Sequence, residues 1–358
     1  MSFLTRKIFD PIPHPFGLDL SDLSVKVVHL NPEGKGNRMR SFGSAEIAQG
    51  AIVDGEILKP EVVVEAIRKA IRKAGPKKIT TRKVNCSLPE TKAFLRIVSI
   101  PTMKEEEVRE AIKWAMEANI PMPIEEVYYD WQILEQQFEK KSKNMNVLVV
   151  AVARTVVDQF VSVLEDAGLD IFGLEIESIA QARSLLNQKQ KNTTLIIDIG
   201  DRRTSFLIAH DFVPSFTSSI PLSGESFTDA IAKAMGISQA EAEKVKIHYG
   251  IGSSLKNDHV FTAVRPVVDN LISEIKKSID FYITGLQYST TIDEVLLCGG
   301  GARTKGLASY IAQGLQHGVV LGDPWVNLSL EKNVVPIGRE EAVQFSTAIG
   351  LALKEFDL

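Results

Sequence analysis

One pattern, met twice, constrains this chain more than any other. An acidic residue closes an apolar run, a short polar turn follows, and a second apolar run begins: FGLDLSDLSVKVV around Asp19 and LIIDIGDRRTSFLI around Asp198. Each reads as two strands around a tight turn. An Asp in such a place is on its own an ordinary turn residue. Its recurrence implies two similar α/β halves whose hairpins face each other. Such hairpins can aim backbone N–H groups at phosphate oxygens, and a carboxylate at each mouth can orient hydrated Mg2+. The expectation is a nucleotide clamp. A length of 358 residues suits two or more cores.

The rest of the chain fits that plan. After the first hairpin, Val62, Val63, Ala66, Ile67, Ala70 and Ile71 recur at helical spacing, with Pro60 and Gly75 as start and stop signals. Strands are expected at Lys83 to Ser87 and Phe94 to Ile100. A helix then opens near Pro101 and Thr102 with Glu105, Glu106 and Glu107 in its first turns, where acids suit the helix dipole. Strands at Val127 to Leu134 and Asn146 to Val152 precede a helix near Val156 to Ala167, the strand FGLEI and the helix ESIAQARSLL. In the second half, strands at Thr194 to Ile199 and Thr204 to Ala209 lead to helices at Ser226 to Met235 and Gln239 to Tyr249. A long amphipathic stretch, Val264 to Gln287, a buried strand at Glu294 to Cys298 and a closing helix from about Glu340 to Lys354 complete the pass.

Two further motifs carry chemistry. In VLLCGGGARTKGL, three glycines after a buried strand let the backbone approach a flat ligand and leave the next helix N-terminus open to it. In AEKVKIHYG, Glu243 and Lys246 stand three apart on one helix face and could grip a ribose and a base edge; an exposed ion pair is the plainer reading. No G-x-x-x-x-G-K-[ST] occurs, which excludes a Walker P-loop.

Composition narrows the classes. A net charge of -4 offers no global attraction to nucleic acid. Cys86 and Cys298 sit beside apolar runs, which argues against a disulfide framework and for a reducing cytoplasm. MSFLTRKIF is too short for a secretory apolar region, and no apolar stretch approaches the roughly 20 residues of a membrane span. The expectation is a cytoplasmic protein, at most peripheral to the inner membrane.

The paired hairpins, the triple-glycine loop and the AEKVKI helix, in that order, resemble the actin, Hsp70 and sugar kinase superfamily. Within it, AIVDGEILKPEVVVEAIRKAI, VNCSLPETKAFLRIVSIP and EANIPMPIEEVYYDWQIL resemble the PilM family of actin-like type IV pilus assembly proteins. The resemblance covers nearly the whole chain, and IPMPIEEVYYDWQIL is its most specific part. It implies an α/β, actin-like (ribonuclease H-like) fold of duplicated domains with an inserted α+β subdomain. Residues 1–84 and 153–191 would form the first domain, 85–152 the insert, and 192–358 the second domain, with a nucleotide-contacting helical part at about 225–290.

Site residues follow from the same resemblance. Asp19 and Asp198 match the Mg2+-orienting acids. Ser21, Ser24 and Lys26 belong to the first phosphate hairpin, and Gly200, Thr204 and Ser205 to the second. Gly224 matches a phosphate-side glycine, Glu243 and Lys246 the ribose and adenine pair, and Gly299, Gly300, Gly301 and Arg303 the adenosine loop. Glu177 sits where related ATPases polarise the attacking water. Asp22 and Asp201 depart from the usual pattern: a carboxylate about 4 Å from a triphosphate is repulsive by on the order of 1 to 4 kcal/mol, and harmless if turned outward. Arg202 and Arg203 are candidates to compensate Asp201.

The resemblance therefore implies ATP and Mg2+ as cofactors, with hydrolysis slow where it occurs. It implies a scaffold of the pilus inner-membrane assembly complex that holds the N-terminal cytoplasmic peptide of a PilN-like inner-membrane protein. The groove for that peptide is expected between the first hairpin domain and the insert, whose Val108, Ile112 and Ala115 share a helical stripe beside Trp114, unless these are the insert's own core. Self-association is left open. The alternatives are a filament protein of cell division or cell shape, like FtsA, and a sugar kinase-type phosphotransferase. FtsA ends in a membrane-targeting amphipathic helix, whereas this sequence stops at KEFDL.

Overall fold

The structure is a computed structural model and describes residues 14–33, 36–120, 122–134, 144–187, 189–251, 258–285, 291–328 and 337–354. MSFLTRKIF, the final EFDL and the end of the long amphipathic stretch lie outside the described residues.

The first hairpin, β1 (Phe16–Leu20) and β2 (Ser24–Glu33), continues into β3 (Gly36–Glu46). A two-strand ribbon, β4 (Ile52–Val53) and β5 (Glu56–Ile57), leads to α1 (Pro60–Lys73), which starts on Pro60 and ends on basic Arg72 and Lys73, as the helix dipole favours. Then come β6 (Gly75–Pro76) and β7 (Lys83–Leu88). The chain departs into β8 (Ala93–Pro101), α2 (Glu105–Asn119), β9 (Val127–Leu134) and β10 (Asn144–Ala153), and returns through α3 (Arg154–Asp166), β11 (Asp170–Ile176) and α4 (Glu177–Leu185).

The first sheet has the order β11-β7-β1-β2-β3-β6, with β1 antiparallel to β2 and parallel to β7. Helices cover both its faces, so β1 is buried throughout and carries no polar side but Asp19 at its end. Alternation along β2 serves both layers: Val25 and Val27 meet α1 and α3, while Val28 and Leu30 point to the opposite face.

The second half repeats this plan. It runs through β12 (Thr193–Ile199), β13 (Thr204–His210) and β14 (Val213–Ile220), then α5 (Gly224–Met235), α6 (Gln239–Tyr249) and α7 (Asp258–Asp280). After β15 (Glu294–Cys298), α8 (Leu307–Leu315) and β16 (Val319–Leu321), the sheet order is β14-β13-β12-β15-β16. Again the acid-bearing strand lies between an antiparallel hairpin partner and a parallel strand. Read outward from β1 and β12, the two sheets share one order, which is the duplication implied by the two hairpins.

The inserted residues form their own sheet, β8-β10-β9, with α2 against it. Val108, Ile112 and Met116 of α2 pack on Val98, Ile100, Val147 and Val149. The expected stripe is thus the core of this subdomain, with Ala115 at its edge, and forms no open groove. Trp114 points away and is 70% exposed.

Two expectations need correction. The closing helix is three pieces, α9 (Arg339–Ala342), a 3₁₀ turn over Val343–Phe345 and α10 (Ser346–Leu353). At the break Ser346 Oγ donates to Val343 O at 2.7 Å, a local bond that competes with the helical ladder. In addition, Trp325, Leu328, Ile337, Phe345 and the apolar face of α10 pack on the first sheet, where Ala348, Ile349 and Ala352 meet Val28 and Leu30, although the sequence reading assigns them to the second half.

Candidate nucleotide-binding cleft

Both hairpins are tightened by their own side chains. In the first, Ser21 N donates to Ser24 O at 3.0 Å and the two hydroxyls lie 3.0 Å apart. Lys26 stands opposite Asp19 in the ladder, so its ammonium lies 3.7 Å from Asp19 Oδ2 and donates to Ser24 Oγ at 2.8 Å. Ser87, from the parallel neighbour β7, donates to Asp19 Oδ1 at 3.3 Å and accepts from Leu20 N at 3.0 Å. In the second hairpin, Gly200 N donates to Arg203 O at 2.9 Å, and Asp198 accepts from Gln181 Nε2, which also donates to Thr347 Oγ1 at 3.1 Å.

A cleft of about 470 Å3 lies between the hairpins. Of the predicted residues, Asp19, Ser21, Ser24, Lys26, Glu177, Asp198, Gly200, Ser205, Gly299 and Gly300 line it. Ladder register explains Thr204: Asp198 pairs with Ser205 and Ile199 with Thr204, so Ser205 shares the cleft face while Thr204 faces the core. There Thr204 Oγ1 donates to Leu222 O at 2.6 Å.

The adenosine-side residues gather at Gly224 without lining that space. A methyl on Gly224 would meet Gly200 O at 3.4 Å, Gly301 Cα at 3.7 Å and Lys246 Nζ at 3.8 Å. Lys246 is only 9% exposed, and its ammonium donates to Gly224 O (3.0 Å), Thr228 Oγ1 (2.9 Å) and Glu243 (2.7 Å). Three donors with three partners make it a brace between α5 and α6. Glu243 remains half-exposed, and Arg303 is exposed beyond the loop. Gly299 and Gly301 pack on β12, since a side chain at either would strike Ile199, whereas Gly300 is open toward the cleft.

Asp22 is turned away from this role: its two oxygens accept the N–H groups of Asp54 and Gly55 at 3.1 Å each. Asp201 lines the cleft beside Gly300. Neither expected compensating arginine pairs with it among the described residues, because Arg202 binds Glu225 at 3.2 Å and Arg203 binds Asp54 at 3.1 Å.

The acids are buried close enough to repel one another. Burial, then Asp19, pushes Asp198 up to about 6. Burial, followed by Asp19 and Asp198, raises Glu177 well above the usual carboxylate range, and burial raises Glu90, whose Oε2 accepts Ser178 N at 3.2 Å at the start of α4. The thiols of Cys86 and Cys298 are pushed up by burial and by these acids, and both are free and buried. Such a cluster asks for a cation. Two carboxylates at facing hairpin mouths fit a Mg2+ that keeps its waters and takes its other ligands from phosphate oxygens. Among the described residues no group of three or more His, Cys, Asp or Glu converges on a metal position, and a water-rich site of this kind needs none.

Sequence reading missed Ser87, Gln181 and Glu90. Signals existed for two: Ser87 is a polar residue in a buried strand, and Gln181 is four residues after Glu177, on the same helix face.

A twice-used five-strand order, with each acid-bearing strand opening onto a shared cleft, defines an actin-like ATPase fold. The profile of the family described as type IV pilus assembly protein PilM matches residues 17–356, and the chain belongs to that family. A solved structure, the PilM-PilN type IV pilus biogenesis complex, contains a chain 26% identical with a TM-score of 0.81, covering 96% of this chain and 99% of that one. MreB 5 of Spiroplasma citri, solved with AMPPNP, is 16% identical with a TM-score of 0.55, covering 97% of both chains. The cell division protein FtsA of Enterococcus hirae is 28% identical over 258 residues, 65% of this chain and 57% of FtsA. The chain thus spans little more than half the length of that curated relative. FtsA of Bacillus subtilis is 22% identical over 346 residues, 86% of this chain and 78% of its own length. Among the described residues no helix is long and apolar enough to cross a membrane.

Proposed function

We propose that this protein is a cytoplasmic, ATP-binding scaffold of type IV pilus assembly that docks the N-terminal peptide of a PilN-like inner-membrane protein. The observation that carries the reading is the likeness, over 96% of the chain, to the subunit of the PilM-PilN complex, together with a cleft lined by the two facing acids. Asp19 and Asp198 would hold Mg2+ with ATP; the bound nucleotide supplies the phosphoryl chemistry and a link between the halves. Ser21, Ser24, Lys26, Gly200 and Ser205 would cradle the phosphates, and Gly300 would approach the adenosine. Glu177, which lines the cleft with the two acids, would orient the attacking water.

The likeness to the cell division protein FtsA supports a division or shape-determining filament protein as the alternative reading. A scaffold stays in the supernatant when sedimented with Mg-ATP, whereas a filament pellets. The nucleotide reading is tested by calorimetry and phosphate release on wild type and Glu177→Ala. Wild type should bind Mg-ATP saturably, and the variant should keep that affinity within about threefold while its hydrolysis rate falls about tenfold or more, since a water-positioning group acts in the transition state. Lost affinity at an unchanged rate would assign Glu177 a structural role instead.

Docking near the inserted sheet is supported by β9, whose outer edge pairs with no strand among the described residues, and by exposed Tyr129 and Trp114. An extended peptide adds readily to such an edge, and aromatic side chains give it anchors. Tethering by a membrane-embedded partner raises the local concentration of a chain at the membrane.

A further inference from the structure

The Asp54–Gly55 turn between β4 and β5 lies at the rim of the cleft, and three segments distant in sequence meet on it. Asp22, at the tip of the first hairpin, holds both of its N–H groups at 3.1 Å. Thr91, two residues before β8 of the inserted sheet, donates its hydroxyl to Asp54 O at 3.2 Å. From the second half, Arg203 Nη2 reaches Asp54 Oδ1 at 3.1 Å, and its Nη1 lies 3.4 Å from Ser219 Oγ. Asp54 and Gly55 have φ of +53° and +78°, the left-handed pair of a tight hairpin turn. A side chain at Gly55 would press on the Pro89 ring at 2.6 Å, so the turn lies flush against the root of the insert. Gly55, Asp22, Pro89, Thr91 and Arg203 all line the cleft.

An exposed ion pair of this kind adds little to stability. Placed between two halves, however, it biases which of their arrangements is populated. We propose that the Asp54–Gly55 turn is a latch: seated by Asp22 and Thr91, it clasps Arg203 across the cleft and sets how fast nucleotide enters and leaves. The inference rests on the reading of the cleft as a nucleotide site.

The test uses Asp54→Asn in the full chain. Asparagine accepts the left-handed conformation and keeps the backbone bonds to Asp22, while the charge that holds Arg203 is lost. Stopped-flow fluorescence with a fluorescent ATP analogue and Mg2+ should show association and dissociation both about fivefold faster or more, with Kd within about threefold. Glu65→Gln, which breaks the exposed Glu65–Arg72 pair on α1, should leave the rates unchanged. Hydrogen exchange in the nucleotide-free protein should be faster at residues 200–205 in Asp54→Asn and unaltered in the inserted sheet. Normal binding with unchanged rates would overturn the latch alone. Absence of binding by wild type would overturn the nucleotide reading, and the latch with it.

Discussion

Asp198→Asn is expected to stabilise the nucleotide-free protein and, in the same molecule, to weaken Mg-ATP binding by about tenfold or more, about 1.4 kcal/mol. The two effects share one cause. Asp198 titrates at about 6 in the fold against an ordinary 3.8, because burial and Asp19 disfavour its charge. A displacement of about 2 pH units corresponds to a cost on the order of 3 kcal/mol once the group is ionised. The folded state binds the proton more tightly than the unfolded chain, so stability falls as pH rises from about 4 to about 6. Asparagine removes that cost and keeps an acceptor for Gln181. It also relieves Glu177, which Asp198 helps to raise. The melting temperature of the variant should therefore exceed that of wild type by several degrees at pH 8, and the gap should close toward pH 4. Equal melting curves at pH 8 would mean that the acids do not repel each other in the folded protein.

Gly299→Ala should destabilise the protein by about 2 to 5 kcal/mol, from left-handed strain and overpacking together. Gly299 has φ of +83°, and a methyl there would run into the Asp198 carboxylate and the Ile199 carbonyl. Backbone of a central strand cannot step aside. Gly300→Ala is the matched control: its methyl would come no closer than 3.8 Å to Asp201, so unfolding free energy should stay within about 0.5 kcal/mol. Nucleotide affinity should nevertheless fall, since Gly300 is the glycine open toward the cleft. Urea unfolding and Mg-ATP titration of both variants separate the two roles; equal unfolding curves would contradict the packing account of Gly299.

What the sequence revealed and what it hid follow from the range of the interactions. The hairpins were legible because strand, acid and turn lie within about a dozen residues, and the apolar alternation of β1, β2, β12 and β13 is local. β3 and β14, with sequences GNRMRSFGSAE and VPSFTSSI, carry too few apolar residues to announce themselves, although hydrogen bonding to an established neighbour suffices to form them. Thr204 could have been placed by alternation alone, one residue out of phase with Ser205. Lys246 could not, because its partners Gly224 and Thr228 come from α5. Asp22 looked like a threat to the triphosphate because its true partners lie 32 and 33 residues away. The return of α10 to the first sheet is likewise a matter of topology, invisible in an apolar helix read by itself.

The central claim is that this chain is a pilus-assembly scaffold that holds a membrane partner by its peptide, and fluorescence anisotropy tests it most directly. A labelled synthetic peptide matching the N-terminal cytoplasmic segment of the cognate PilN-like protein is titrated with the full chain, first shown to be folded and to bind Mg-ATP. Saturable binding with a Kd of about 10 μM or tighter, abolished by scrambling the peptide, is the predicted result. No saturable binding up to about 1 mM by protein that binds nucleotide normally would contradict it.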